Sequence, residues 1–252
     1  MPIWKMEAMP GGGRCLVCRP LLDAGLRHAF TLRPPSPPPA SAAEGVPPGV
    51  ADALGLAGIP IVRPVQVHGG SVSRPAPGGT GTAPLHADAV VVRGRGRAAA
   101  VATADCVAGV LLAPTGESFA VLHAGWRGTL AGVVRNSVVA LAAESGAAPA
   151  SFLLAMGPSI GRCCYEVGEE VAESFRAAFP AREWSDLLQE RRGRPMLDIG
   201  RANVLQAVEV GLDPSRIYCA GICTACRGDL CFSYRVEGRA AGRMWAVAGL
   251  GA

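Results

Sequence analysis

Histidine is scarce in this chain, with four copies at His28, His68, His86 and His123, so any chemistry that needs imidazole must draw on that short set. Charged residues are also few, at 17%, and the formal charge of +4 is spread over arginines along the whole length. Nucleic acid or a membrane surface therefore finds no basic block to hold. The local exception, Arg93-Gly94-Arg95-Gly96-Arg97, sits between two apolar runs and reads as a solvated connection. No apolar run is long enough to span a bilayer, and residues 1–14 lack the apolar stretch after a basic segment that a secretory signal requires. A cytoplasmic location with no membrane or nucleic-acid partner is expected. There is no internal repeat.

What is present is a large apolar fraction: half of the 252 residues, enough to bury one substantial core. Nine cysteines is an odd number, and without a secretion signal they read as thiols, metal ligands or catalytic groups, not as a disulfide framework. Residues 33–49 carry seven prolines, which neither propagate a helix nor donate to a sheet, and a surface loop is expected there. Residues 1–60 are assigned to an N-terminal segment of the same domain, and 61–252 to its core.

Short β-branched apolar runs at 61–67, 87–92, 98–102, 107–112, 119–123, 152–156, 217–222 and 244–250 predict strands, several buried on both faces because the runs are nearly continuous. Three helices are predicted between them. The first is capped by Thr129, turns Leu130, Val133, Val134, Ser137, Val138 and Leu141 to one face, and ends near Gly146. The second spans about 167–179, with Val171, Phe175 and Phe179 in register and Pro180 as its stop. The third is capped by Asp198, carries Val204, Leu205 and Val208 inward and ends at Gly211. Strands outnumber helices without regular alternation, so an α+β domain with a mixed sheet is expected in place of a doubly wound fold.

His68 and His123 each fall at the end of a predicted strand, and Cys106 closes Thr103-Ala104-Asp105-Cys106. Two imidazoles and a thiolate form a donor set suited to zinc, and three protein ligands leave a fourth tetrahedral position open, as a catalytic metal needs. Spacing alone does not join them, because the three are far apart in the chain and each also reads as an ordinary strand-end residue.

The segments Gln66-Val67-His68-Gly69, Ala87-Asp88-Ala89-Val90, Thr103-Ala104-Asp105-Cys106 and His123-Ala124-Gly125-Trp126-Arg127-Gly128 follow one another in that order. After them come Gly157-Pro158-Ser159-Ile160-Gly161, Cys163-Cys164-Tyr165-Glu166-Val167, Cys223-Thr224 and Phe232-Ser233-Tyr234-Arg235. From about Val62 to the C-terminus the chain resembles the laccase-domain (YfiH-like) family. The resemblance implies one α+β domain with two mixed β-sheets packed together and flanking helices. It also implies one metal, usually zinc, on His68, Cys106 and His123. The implied activities are phosphorolysis of adenosine, inosine and methylthioadenosine, with phosphate as co-substrate, and deamination of adenosine. The partner is then a small purine nucleoside, and the protein a monomer or homodimer. Two departures stand out: Ala108 replaces the proline usual in the family, and the proline-rich loop replaces a Gly-Gly-containing segment.

Zinc at this site would keep Cys106 as a thiolate and activate water for attack on the purine ring. Phosphorolysis instead needs donors for an anion, and Arg127 with the free N–H groups of the Gly125-to-Thr129 turn is the expected source. Asp105 is the expected carboxylate behind a metal-bound histidine, or a proton carrier. Rival readings are fewer. The G-x-S-x-G match at Ser159 fails as a hydrolase elbow, since every histidine precedes it. Cys15-x-x-Cys18 with Cys223-x-x-Cys226 would make a structural zinc site, the main non-enzymatic alternative. Neither half of the cytidine-deaminase signature is present. Copper is the alternative metal, as in a polyphenol oxidase, although four histidines cannot build a trinuclear copper cluster. A hydrolase with Cys106 as nucleophile, activated by His68 or His123, is the remaining class.

Overall fold

The computed structural model describes residues 2–35, 45–47, 49–75 and 85–251. Most of the proline-rich loop, 36–44 and Pro48, lies outside the described residues. Among the described residues, fourteen strands, numbered β1 to β14 along the chain, form two six-stranded sheets and a small hairpin. The first sheet contains β1 (Trp4–Ala8), β2 (Arg14–Cys18), β3 (Arg27–Thr31), β4 (Ile61–Val62), β7 (Arg97–Thr103) and β14 (Met244–Leu250), in the order β1-β2-β3-β14-β7-β4. The second contains β5 (Val72–Ser73), β6 (Ala89–Arg93), β8 (Val107–Leu112), β9 (Ser118–Ala124), β10 (Leu153–Met156) and β13 (Ile217–Cys219), in the order β13-β10-β8-β9-β6-β5. The hairpin pairs β11 (Leu188–Arg191) with β12 (Arg194–Leu197). Both large sheets are mixed: β4 runs parallel to β7, β5 to β6 and β13 to β10, and the other pairs are antiparallel.

Strand alternation explains the layering. In β8, Ala108, Val110 and Leu112 join Phe30, Val101 and Ala246 in a core between the sheets. Val107 and Leu111, on the opposite face of the same strand, pack under helices with Val134, Val138 and Leu141. Every residue of β8 is buried, so its run has no polar break and its bounds match the sequence expectation. The same holds for β14, whose seven residues are all buried.

Several boundaries differ for local reasons. The predicted strand at 61–67 shrinks to Ile61–Val62, because Pro64 has no N–H to donate; Val65 then makes only an isolated bridge with His86. The run at 217–222 stops as a strand at Cys219, before Gly221 turns with φ 67°. Three strands from the first 31 residues, β1 to β3, were not expected; β3 pairs directly with β14.

The helix Val133–Ser145 buries Val133, Val134, Ser137, Val138 and Leu141 and ends at Gly146, which has φ 71°, as the sequence implies. Its N-cap is Gly132, not Thr129, which is buried inside the preceding short helix Trp126–Leu130. The helix Glu169–Ala178 buries Val171 and Phe175, with Phe179 packed behind them. Asp198 caps Ile199–Glu209 by accepting from the Arg201 N–H at 2.8 Å. The fully buried face of that helix carries Ile199, Ala202, Asn203, Gln206 and Ala207, while the expected Val204 and Leu205 are half-buried against the cores on either side and Val208 is half-buried too. The two amides face inward because Thr129 receives them: Asn203 Nδ2 donates to its Oγ1 at 3.0 Å and Gln206 Nε2 to its carbonyl at 2.6 Å.

Candidate active site

β7 belongs to one sheet and β8 to the other, so the turn Ala104-Asp105-Cys106 carries the chain across the seam between them. Cys106 stands where the two sheets part. His123 lies near the end of β9, opposite Ala108 of β8. His68 comes from the irregular segment after β4. That segment is held to β7 by the Gln66 amide, whose Nε2 donates to the Ala102 carbonyl and whose Oε1 accepts from the Ala102 N–H, both at 2.8 Å. The side chain here does what a neighbouring strand's backbone would do. His68 (φ 57°) and Asp105 (φ 91°) both have left-handed backbone, uncommon for residues with a Cβ and a recurrent feature of functional sites.

The ligand atoms of His68, Cys106 and His123 all lie within 4.8 Å of one another. The two imidazole rings meet edge to face, with centroids 4.8 Å apart and planes at 89°. Gly125 makes room for them: a Cβ there would fall 3.0 Å from Cys106 Sγ and 3.1 Å from His68 Cδ2. All three residues line a cavity of about 600 Å³, within the range of small-molecule sites.

Asp88 organises the group from behind. Its fully buried carboxylate accepts from His123 Nδ1 at 2.9 Å and from the N–H groups of Val67, His68 and Gly69 at 3.2, 3.0 and 2.6 Å. Burial by itself would raise the Asp88 carboxyl, but the His123 bond and these N–H donors hold it below the usual carboxylate range. Burial likewise opposes a charged His123, yet Asp88 and Cys106 raise it to about 9. Burial opposes a thiolate at Cys106, yet hydrogen bonds from His123 and His68 and their charge lower it to about 7. With Nδ1 committed to Asp88, His123 has Nε2 left for a ligand. Two imidazoles and a readily ionised thiol, one imidazole fixed by a carboxylate, are a donor set that fits zinc or copper.

The other two histidines are not among the cavity-lining residues. His28 is buried in β3, with Nδ1 donating to the Leu26 carbonyl and Nε2 accepting from the Cys18 N–H, and burial lowers it to about 4. His86 sits on the isolated bridge to Val65.

Two sequence expectations need correction. Asp105 lines the cavity but does not orient a histidine: its Oδ1 accepts from Thr224 Oγ1 at 2.5 Å and its Oδ2 from the Arg235 N–H at 2.7 Å. The carboxylate behind the imidazole is Asp88. Arg127 is not among the cavity-lining residues; its guanidinium stacks over the Trp126 ring at 4.2 Å, where the indole face attracts it. The cations that line the cavity are Arg235 and Arg243. Tyr165 joins them, its phenol raised to about 12 by burial and the nearby Cys106 charge.

Gln66, Asp88, Tyr165 and Arg235 all stand in segments quoted above, yet sequence reading gave none of them a role, and Arg243 stood outside every segment. The available signal was modest: Asp88 is a carboxylate at the mouth of an otherwise apolar strand, a position that demands donors once buried. The alternative structural zinc site of Cys15 and Cys18 with Cys223 and Cys226 is not brought together. Cys15 and Cys18 are buried in β2, whereas Cys223 and Cys226 lie beside Cys163 and Cys164.

Fold and site together define a single-domain α+β protein of two packed mixed sheets, with a small-molecule cavity floored by two imidazoles and a thiol. A family model described as multi-copper polyphenol oxidoreductase laccase matches residues 48–251, and the chain belongs to that family. YlmD of Geobacillus stearothermophilus, a purine nucleoside phosphorylase by name, is 33% identical over 191 residues, 73% of this chain and 70% of that protein. Its crystal structure superposes over 100% of both chains with a TM-score of 0.86 at 30% identity. A purine nucleoside phosphorylase of Deinococcus radiodurans is 38% identical over 202 residues, 80% of this chain and 74% of its own length. Adenosine deaminase RL5, from an unknown prokaryotic organism, is 36% identical over 156 residues, 62% of this chain and 59% of its own length. Among the described residues, no helix is long and apolar enough to cross a membrane.

Proposed function

We propose that this protein is a zinc-dependent, cytoplasmic enzyme of purine nucleosides that cleaves adenosine, inosine and methylthioadenosine with phosphate and also deaminates adenosine. The observation that carries the reading is the meeting of His68, Cys106 and His123 on the floor of a nucleoside-sized cavity. The names of the relatives support the substrate class.

His68, Cys106 and His123 would hold the metal, and Asp88 would keep His123 in the tautomer that offers Nε2. Zinc bound there would supply a Lewis acid beside the substrate. Arg235 and Arg243 provide guanidinium donors for phosphate inside the cavity, with Arg127 and the Gly125 turn adding positive potential from outside its lining. Tyr165 lines the cavity with the Arg235 guanidinium over its ring at 5.3 Å, and its phenol, protonated at neutral pH, is a hydrogen-bond donor. Asp105 ties Thr224 and Arg235 together and so fixes the cavity wall. In phosphorolysis a phosphate oxygen bonds to the anomeric carbon, the glycosidic C–N bond breaks, and its electron pair departs with the base. The positive charge that grows on the ribose is met by the phosphate that Arg235 and Arg243 hold.

Incubating zinc-loaded protein with each of the three nucleosides, with and without phosphate, tests this. Phosphate-dependent release of free base and of the matching pentose 1-phosphate is the expected result, and no base release from any of them defeats the reading. A second reading rests on the Cys106 thiol lowered to about 7 between two imidazoles, the setting of a cysteine nucleophile. Full activity after chelation of all metal would favour it. Oxidation of a phenolic dye only after copper loading would favour the copper alternative.

A further inference from the structure

Cys163, Cys164, Cys223 and Cys226 have no part in the cavity chemistry, yet their four sulfurs all lie within 4.8 Å of one another. Cys226 Sγ is 3.5 Å from Cys163 Sγ and 3.3 Å from Cys164 Sγ. These separations are too long for a disulfide, in which the sulfurs are about 2.05 Å apart. They are close to what a single tetrahedral ion demands: zinc bonded to four thiolates at about 2.3 Å sets neighbouring sulfurs about 3.8 Å apart. An iron–sulfur cluster, with its own sulfides between the thiolates, needs a wider cage.

We propose that Cys163, Cys164, Cys223 and Cys226 bind one zinc ion, a closed structural site that staples two segments of the cavity wall together.

The backbone already prepares the site. Ser159 and Cys223 form a bridge, Thr224 N–H donates to the Ser159 carbonyl at 3.1 Å, and the Gly161 N–H points at Cys223 Sγ at 3.3 Å. That last contact suits a thiolate, which accepts hydrogen bonds that a metal alone leaves unmade. Gly161 also lets the segments close: a Cβ there would stand 3.4 Å from Cys163 Sγ and 3.3 Å from Cys223 Cβ. Cys223-x-x-Cys226 has the short ligand spacing common in zinc sites, and its turn is closed by Arg227 N–H donating to the Cys223 carbonyl at 3.1 Å. Cys163 and Cys226 are exposed, which gives an ion a path of entry.

The position of the cluster gives it a task. Tyr165, one residue past Cys164, lines the cavity, and Thr224, one residue past Cys223, donates to the cavity-lining Asp105. A zinc cross-link between ligand pairs some sixty residues apart would hold both walls at fixed separation and stabilise the fold against unfolding.

Metal content tests this without reference to nucleoside turnover, so its outcome stands apart from that of the proposed activity. In the Cys106→Ala variant, which lacks the cavity thiolate, elemental analysis is expected to find one zinc per chain. Adding Cys223→Ala and Cys226→Ala should remove it. Cys226→His, which offers another zinc ligand, should keep it even if the alanine variants fail to fold. Cobalt in place of zinc should give the intense sulfur-to-metal charge-transfer bands of a four-thiolate tetrahedron. A folded Cys106→Ala protein without zinc would overturn the proposal. So would a disulfide among these four cysteines in protein purified without oxygen, or iron in place of zinc.

Discussion

The His68, Cys106 and His123 group and the four-cysteine cluster are both compact sets of soft donors, but they are built to opposite ends. The first has three donors, an open cavity in front and a buried carboxylate behind. The second has four donors of one kind and backbone bridges that tie its two halves together. Three ligands with an open face suit an ion that meets substrate, and four suit one that only holds structure. The difference teaches that residue type alone does not separate the roles; the number of donors and what stands behind them does.

The largest expected effect comes from Cys106→Ala. Base release should fall by roughly 1000-fold, more than the 10–100-fold typical of losing an outer partner of a metal ligand, while zinc on the cluster remains. Equal activity in that variant would break the contrast outright. Asp88→Asn should cost about 10–100-fold in zinc affinity of the cavity site, read by chelator competition, because the amide cannot accept from His123 and three N–H groups as a carboxylate does. The cluster should hold its zinc as before. pH sharpens the comparison further. Metal displaces a proton from His123 below its value of about 9, and a second from Cys106 below about 7. Zinc affinity at the cavity should therefore weaken about tenfold per pH unit from 9 to 7, and more steeply below 7, in competition titrations across that range. The smallest effect is expected from Gly125→Ala. Its backbone, at φ −78° and ψ 176°, admits any residue, so the fold should keep its melting temperature. The added methyl group presses Cys106 Sγ and His68 Cδ2, and activity should fall by about three- to tenfold.

How much of this was legible in the chain depends on which physical signal carried it. β8 and β14 appear at their expected bounds because both faces of each are buried and nothing polar interrupts the runs. The inward face of Val133–Ser145 followed from helical spacing alone. The first three strands did not stand out: β1 mixes exposed and half-buried residues without regular alternation and gains its place by pairing with β2, a contact no local pattern encodes. His68, Cys106 and His123 were named through the family resemblance, not through spacing, since the topology that joins them involves both sheets. Asp88 was passed over for Asp105, the carboxylate beside the cysteine in sequence, because a buried acid is recognised by its donors, and those come from 20 residues upstream and 35 downstream. Arg127 looked like the anion donor because it follows a glycine turn, yet the neighbouring indole captures it while Arg235 and Arg243 reach the cavity. The cysteines taught the same lesson: Cys15-x-x-Cys18 has the spacing of ligands but the burial of core residues.

The central claim is tested most directly by titrating zinc into chelated protein while following phosphate-dependent release of base. Activity should be absent at the start and rise with occupancy of the cavity site in the wild-type chain, and stay roughly 1000-fold lower throughout in Cys106→Ala. Full turnover before any zinc is added would contradict it.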